Sequence, residues 1–565
     1  MITRREFAQA LLATGLLSAA GGVGNWSRLA ARQGLNQNSI LEFEPLGNVT
    51  LIHITDIHAQ LKPVYFREPS VNIGVGSAAG RPPHLTGEAF LEYYKLAAET
   101  PDAYALTFED FSALARTYGR MGGLDRVATV LNSIRSSREG KTLFLDGGDT
   151  WQGSYTANQT KGADMISAMN ALKPDAMTGH WEFTYGAERV SEAVEALPYP
   201  FLGGNIFNSE WEEPAFESTA TFERGGVKVA VIGQAFPYTP IANPRWMIPD
   251  WSFGIREKVL RANVEAARRD GAGLVVLLSH NGFDVDHKLA SRVEGIDVIL
   301  TGHTHDALPK PVKVGNTLLI ATGSNGKFVS RLDLDVGAQG VKDYRYRLIP
   351  IFSDAITPDP GMAKLIDELR APYAAELAKE VGRTESLLYR RGSFNGTFDD
   401  LICQALLTER DAEISLSPGF RWGPSLLPDQ AITVEDIHSQ TAITYPSAYR
   451  MEMTGAQLKE IFEDVADNLF NKDPYYQQGG DMVRVGGLGY RIDPTASMGN
   501  RISDMTLLRT GDPIDASKKY VVSGWASVNP DVQGPPVWDV VQDYVADKKT
   551  LQVPPNNAIK VMARG

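Results

Sequence analysis

The 565-residue chain predicts an α/β protein: a layered core whose strands are buried on both faces, followed by a second, smaller α/β domain. Three observations carry this. From residue 48 to about 350, short β-branched apolar runs alternate with helical stretches, the pattern of sheets covered by helices. The length exceeds what a single core organises, so two domains are expected. Composition is that of an ordinary globular protein, with 43% hydrophobic and 22% charged residues and no low-complexity tract.

Taken in order, the chain opens on TRREFAQ (3–9), with Arg4 and Arg5 paired, then the apolar run ALLATGLLSAAGGVG (10–24). That is the layout of a twin-arginine export signal, expected over about residues 1–31, and it points to the periplasm. The run is too short and Gly-rich for a comfortable membrane span. No cysteine follows it, so no lipid anchor is expected. The strand runs are VTLIHIT (49–55), KTLFLDG (141–147), VKVAVIG (227–233), GLVVLLSH (273–280), IDVILTG (296–302) and NTLLIATG (316–323). Helices are expected at 125–137 and 256–270. A first domain over 45–350 follows, interrupted near 62–121 by an insertion rich in Tyr, Phe, Pro and Gly. Helical periodicity over 359–381 predicts a connecting helix within a linker at 351–385, and 386–565 forms the second domain.

The formal net charge of −13 argues against nucleic acid or an anionic membrane as the main partner. An anionic substrate then needs a local positive site, from metal ions or arginines. Cys403 is the only cysteine, so no intramolecular disulfide forms, and its apolar setting DDLICQALL (399–407) predicts a buried structural thiol. The twin-arginine route carries folded cargo, which favours a protein loaded with a cofactor before export.

Five of the nine histidines follow apolar strands. Asp56 and His58 form D-x-H in HITDIHAQ, Asp149 closes FLDGGD, His180 follows the glycine of TGHW, His280 ends VVLLSH, and His303 and His305 form H-x-H in ILTGHTHD. Loops after strands converge at one edge of an α/β sheet, where ligand sites form. Seven oxygen and nitrogen donors are too many for one tetrahedral ion and suit two divalent ions sharing a carboxylate. These ligand types fit manganese, zinc or iron. His53 within the first strand, His84 in the insertion, His287 at a polar helix start and His438 in a surface-like segment read as structural or solvated.

With these residues in order, the sequence resembles the calcineurin-like metallophosphoesterases, and its two-domain layout is similar to that of the 5′-nucleotidases. The resemblance implies a four-layer α/β/β/α catalytic domain. It implies one ion held by Asp56, His58, Asp149 and His305, and another held by Asp149, His180, His280 and His303. Asp149 bridges them, and an intervening hydroxide is the nucleophile. The departures are informative. Where nucleotidases have GNHEFDYG, this chain has GHWEFTYG: the ligand asparagine becomes His180, the leaving-group histidine becomes Trp181, and its aspartate partner becomes Thr184. The anion-binding arginine is kept as Arg421 in SPGFRWG (417–423), whereas the segment at 523–539 has no GGDGY base clamp.

GHWEFTYG, the aromatic insertion, SPGFRWG and the twin-arginine signal together resemble the SoxB family of thiosulfate oxidation. That resemblance implies a periplasmic dimanganese enzyme that hydrolyses the terminal sulfonate from a cysteine S-thiosulfonate on the SoxYZ carrier protein. Asp149, Arg421 and Trp181 are then expected at the reacting centre, with a thiosulfate-like anion in the site. The change of dyad fits the chemistry: a nucleotide expels a sugar alkoxide and profits from a general acid, whereas a persulfide leaves readily without one. An exported 5′-nucleotidase or phosphodiesterase is the alternative, and a non-catalytic metal-binding module a further one.

Overall fold

The computed structural model describes residues 34–562; the export signal expected over 1–31 lies outside them. The first unit is built on two facing sheets. One has five strands in the order Gly340–Pro350, Phe328–Gly337, Val49–Ile54, Thr142–Asp146 and Ala176–Met177. The other has six, in the order Val312–Val314, Thr317–Ala321, Val298–Thr301, Leu274–Ser279, Val227–Gln234 and Thr219–Arg224. Val49–Ile54 runs parallel to Thr142–Asp146, with Ile52 opposite Phe144, and Leu274–Ser279 runs parallel to both its neighbours.

The apolar runs have a direct cause in this layering. Each central strand feeds one side chain to the space between the sheets and the next to a helix layer. Leu51, Leu143, Val231, Val276 and Leu300 meet between the sheets. Ile52 and Phe144 instead face the helices Leu124–Ser137 and Ala163–Leu172, and Leu277 and Ile299 face Glu257–Arg269 and Phe283–Arg292. The result is the expected α/β/β/α sandwich. The outer strands Gly340–Pro350 and Thr219–Arg224 are half-exposed and carry charges, so no continuous apolar run marked them.

The helix expected over 359–381 is shorter. Pro360–Arg370 is helical, but Pro372 offers no N–H, and the chain passes through a 3-10 turn and the single turn Ala374–Leu377. Glu380–Thr384 is then a strand paired with Gln430–Thr433 and Thr550–Leu551. The second unit's sheet therefore begins inside the stretch expected as linker. That unit also contains a four-stranded sheet, ordered Tyr449–Thr454, Lys519–Gly524, Ile414–Ser417 and Arg484–Gly486, and the helices Thr397–Glu409, Gly455–Phe470 and Val537–Lys548.

The 62–121 insertion is a strap across both units. Its helices Pro101–Leu106 and Phe111–Tyr118 bury Tyr104, Phe111 and Tyr118 against the first core. Lys327, fully buried, anchors it by donating to Glu68 Oε1 at 2.5 Å and to the Ala105 carbonyl at 3.0 Å. Further along, Ser425 N donates to the Tyr65 carbonyl, Ser393 N to the Val71 carbonyl, and the Arg67 guanidinium lies 4.1 Å over the Tyr389 ring. Among the described residues, no helix is long and apolar enough to cross a membrane.

Candidate metal centre and active-site cleft

The strands of both sheets end at one edge, and the loops leaving them carry the seven predicted donors. Two clusters form: Asp56, His58, Asp149 and His305, and Asp149, His180, His280 and His303, with the donor atoms of each within 4.8 Å of one another and every residue buried. Asp149 belongs to both. Its Oδ2 lies 3.0 Å from His280 Nε2, 3.2 Å from His180 Nδ1 and 3.6 Å from His58 Nε2. His305 Nε2 lies 3.2 Å from Asp56 Oδ1 and 3.1 Å from His58 Nε2. His180 approaches through Nδ1, the ring atom one bond beyond Cγ, as the oxygen of an asparagine would be.

The backbone is bent hard to bring these groups together. Asp56, His58, Asp149, His303 and His305 all have left-handed φ, between 47° and 74°. Non-glycine residues adopt this region at a cost and only where the surroundings dictate it. Several bonds do so here: His303 N donates to Asp56 Oδ1 at 3.0 Å, Trp181 N donates to Asp149 Oδ1 at 2.7 Å, and Asn325 N donates to the Asp56 carbonyl. Glu182 ties two loops together. Its carboxylate accepts from His180 N and Thr150 N, both at 2.7 Å, and from Asp149 N and Trp151 N, both at 3.3 Å.

The donor set suits cations. Burial pulls the imidazoles of His58, His180, His303 and His305 down, His58 to about 4, leaving neutral rings with lone pairs to offer. Burial pushes Asp149 up, but His180, His280 and His58 outweigh it and hold the carboxyl well below its usual range. Burial opposes a charge on His280 as well, yet Asp149 and Asp56 lift it to about 10. His180 Nε2, His303 Nε2, His58 Nδ1 and His305 Nδ1 have no hydrogen-bond partner among the described residues. Buried imidazoles that bond so little around two carboxylates are the makings of two divalent-cation sites.

The remaining histidines divide differently. His53 is buried with Nδ1 2.7 Å from Thr322 Oγ1, and burial takes it down to about 3. His84 pairs with Asp284 at 2.9 Å and His287 is exposed. His438 corrects the sequence expectation: it is buried on the helix Val434–Thr441 between Tyr155 and Trp538, where the second unit meets the first.

Above the clusters lies a cleft of about 280 Å³ between the units. Trp181 forms part of its wall and is buried in the second unit's aromatic cluster, edge-on to Phe420 at 5.3 Å and to Trp422 at 5.0 Å. Phe420 and Trp422 stack on each other at 4.1 Å, and Trp422 reaches within 5.2 Å of the His58 ring. Thr184 bonds Thr444 of the second unit at 2.7 Å. Arg421 sits on the rim of the clusters: its Nη1 donates to the His303 carbonyl at 3.2 Å, its Nη2 to the Gly480 carbonyl, and its Nε to Asp481 Oδ1 at 3.3 Å.

Two features escaped sequence reasoning. Phe236 stacks on His303 at 4.0 Å and packs on His180 at 4.2 Å. It follows the strand Val227–Gln234, so the same strand-end rule that found the histidines reaches it. The loop 477–481 comes from the second unit and lies on His303; a Cβ on Gly479 would fall 1.9 Å from His303 Nε2. No signal in the sequence marked that approach.

Fold and site together define a metal-dependent hydrolase fold of the 5′-nucleotidase type. Residues 380–528 match the family described as 5′-nucleotidase, C-terminal domain. The chain is 24% identical over 469 residues to the 5′-nucleotidase of Homo sapiens, covering 74% of this chain and 79% of that protein. A 5′-nucleotidase precursor from Thermus thermophilus shares the fold at TM-score 0.72 and 22% identity, over 92% of this chain and all of that one. The solved structure of the Thermus thermophilus sulfate thiohydrolase SoxB in complex with glycerol superposes at TM-score 0.90 with 36% identity, covering 93% of this chain and 98% of that chain. The chain belongs to the SoxB family.

Proposed function

We propose that the protein hydrolyses the terminal sulfonate from a cysteine S-thiosulfonate on a SoxYZ-type carrier, in the periplasm after twin-arginine export. The reaction is carrier-Cys-S–S–SO₃⁻ + H₂O → carrier-Cys-S–S⁻ + SO₄²⁻ + 2 H⁺; water oxygen bonds to the sulfonate sulfur and the S–S bond breaks. The two donor clusters would hold two divalent ions, which we assign as manganese on the family resemblance. When bound, such ions supply Lewis acidity at the sulfonate and activation of water.

The chain's own residues support this reading. Asp149 ties the clusters together, and Glu182 fixes the loops that carry Asp149 and His180. Arg421 has five N–H donors, of which three are engaged, leaving two for sulfonate oxygens in the cleft it lines. The observation that carries the reading is the closed aromatic wall. Of the segment 523–539, where the nucleotidases carry their base clamp, Ala526 and Val528 line the cleft and no aromatic ring does, while Trp181 stands edge-on to the stacked pair Phe420 and Trp422. A thin polysulfide chain fits such a wall, and a persulfide leaving group needs no proton donor where Trp181 stands.

The curated 5′-nucleotidase relatives favour a second reading, an exported nucleotidase or phosphodiesterase. Replacing Trp181→His separates the two. We expect carrier thiosulfonate hydrolysis to fall about 10²-fold as the wall is displaced. Intact hydrolysis accompanied by fast AMP cleavage would sink the assignment of Trp181 as a determinant of the sulfur substrate.

A further inference from the structure

Behind the cleft lies a second chamber of about 70 Å³, room for several waters or a small anion. It runs inward from the half-exposed Asn72, Asp284 and Gln477 to buried His303 and Arg391. Cleft and chamber share one wall, made of His303, Arg421, Asn468 and Gly479–Asp481. Gly479 and Gly480 add no side chain to that partition, so Arg421 is its main cationic bulk. Arg391 stands on the chamber side, buried, with Nη2 donating to the Thr304 carbonyl at 2.8 Å and Nε without a partner among the described residues. Asp481 touches both guanidinium groups, at 3.3 Å from Arg421 and 3.9 Å from Arg391.

Three carboxylates face the chamber, and each is already engaged. Asp284 pairs with His84 at 2.9 Å, and Asp481 also pairs with Arg484 at 3.0 Å. Asp306 accepts from Asn72 at 3.3 Å and lies 3.7 Å from Arg391. An anion passing Arg421 meets a second guanidinium, which Asp306 and Asp481 flank at 3.7 and 3.9 Å and whose Nε has no partner among the described residues.

Resting on the carrier reading above, we propose that this chamber is the exit, and a transient binding site, for the tetrahedral oxyanion product. A carrier segment inserted in the front cleft blocks the way out on that side. Sulfate released at the clusters can then leave past Arg421 to Arg391 while the carrier is still in place. The two arginines act as successive anion contacts.

The test fills the chamber from its outer end. Gln477→Trp and, from a different element, Ile73→Trp are compared with the parent as metal-loaded enzymes, after metal content and melting temperature show that each has folded. Rapid-quench measurement reads cleavage, and steady-state turnover reads release. With the carrier substrate, cleavage in the first turnover should persist while turnover falls about tenfold, because release then limits the cycle. With a low-molecular-weight thiosulfonate, which leaves the front open, turnover should fall far less. Equal effects on both substrates, or no effect from either variant, would overturn the exit. If the parent cleaves neither thiosulfonate, the functional reading itself fails and the exit falls with it.

Discussion

Glu182 offers the sharpest test of how the metal centre is held. Its buried carboxylate receives four backbone N–H groups, two from the loop carrying Asp149 and Trp151 at long range, one from Thr150 and one from His180 at 2.7 Å. Glu182→Gln preserves shape but keeps only one acceptor oxygen. Whichever way the amide is turned, an NH₂ group faces two N–H donors, one of them from a short bond. Hydrogen bonds to a charged group contribute about 1.5–3 kcal/mol, and a stranded buried donor costs about 1–3 kcal/mol, so the variant should lose roughly 3–5 kcal/mol. That is a large share of the roughly 5–15 kcal/mol typical of a folded domain. The loops bearing Asp149 and His180 should also loosen, weakening metal binding about 10–100-fold, as changes behind ligands do. Denaturant unfolding followed by tryptophan fluorescence checks the first number, and metal titration with elemental analysis the second. A stability loss below about 1 kcal/mol with parent metal affinity would refute the reasoning.

Two further outcomes follow from particular residues. Gly479→Ala places a Cβ 1.9 Å from His303 Nε2 and at a φ of +79°, so His303 must shift; elemental analysis should show loss of the ion served by His180, His280 and His303, with the other retained. His438 is taken by burial from 6.5 to about 4, so between those pH values the unfolded chain binds a proton that the folded chain resists. Stability should therefore fall as pH drops through this window, by about 3 kcal/mol at most, and His438→Gln should flatten that dependence in pH-stepped denaturation.

How far the sequence anticipated the molecule depends on the range of the interactions. Central strands such as Leu274–Ser279 are apolar on both faces, and the composition alone betrays them. Their loops must end at one sheet edge, which is why Asp56, His58, Asp149, His180, His280, His303 and His305 could be gathered before any geometry was known. The outer strand Thr219–Arg224 mixes exposed and half-buried residues and left no such mark. Trp181 could be recognised as a departure in its motif, but not its edge-on seat against Phe420 and Trp422, far downstream in the chain. The approach of Gly479 to His303 is likewise a contact between units, set by how the two pack rather than by local pattern. His438 misled because its neighbours are polar, whereas its burial comes from Tyr155 and Trp538 on distant helices.

The central claim is that this cleft acts on a sulfur substrate rather than a nucleotide. It is tested most directly by one metal-loaded sample given thiosulfonated carrier and AMP in parallel, with sulfate and phosphate release measured under the same conditions. The proposed function predicts sulfate release from the carrier with little phosphate from AMP. Predominant phosphate release would contradict it.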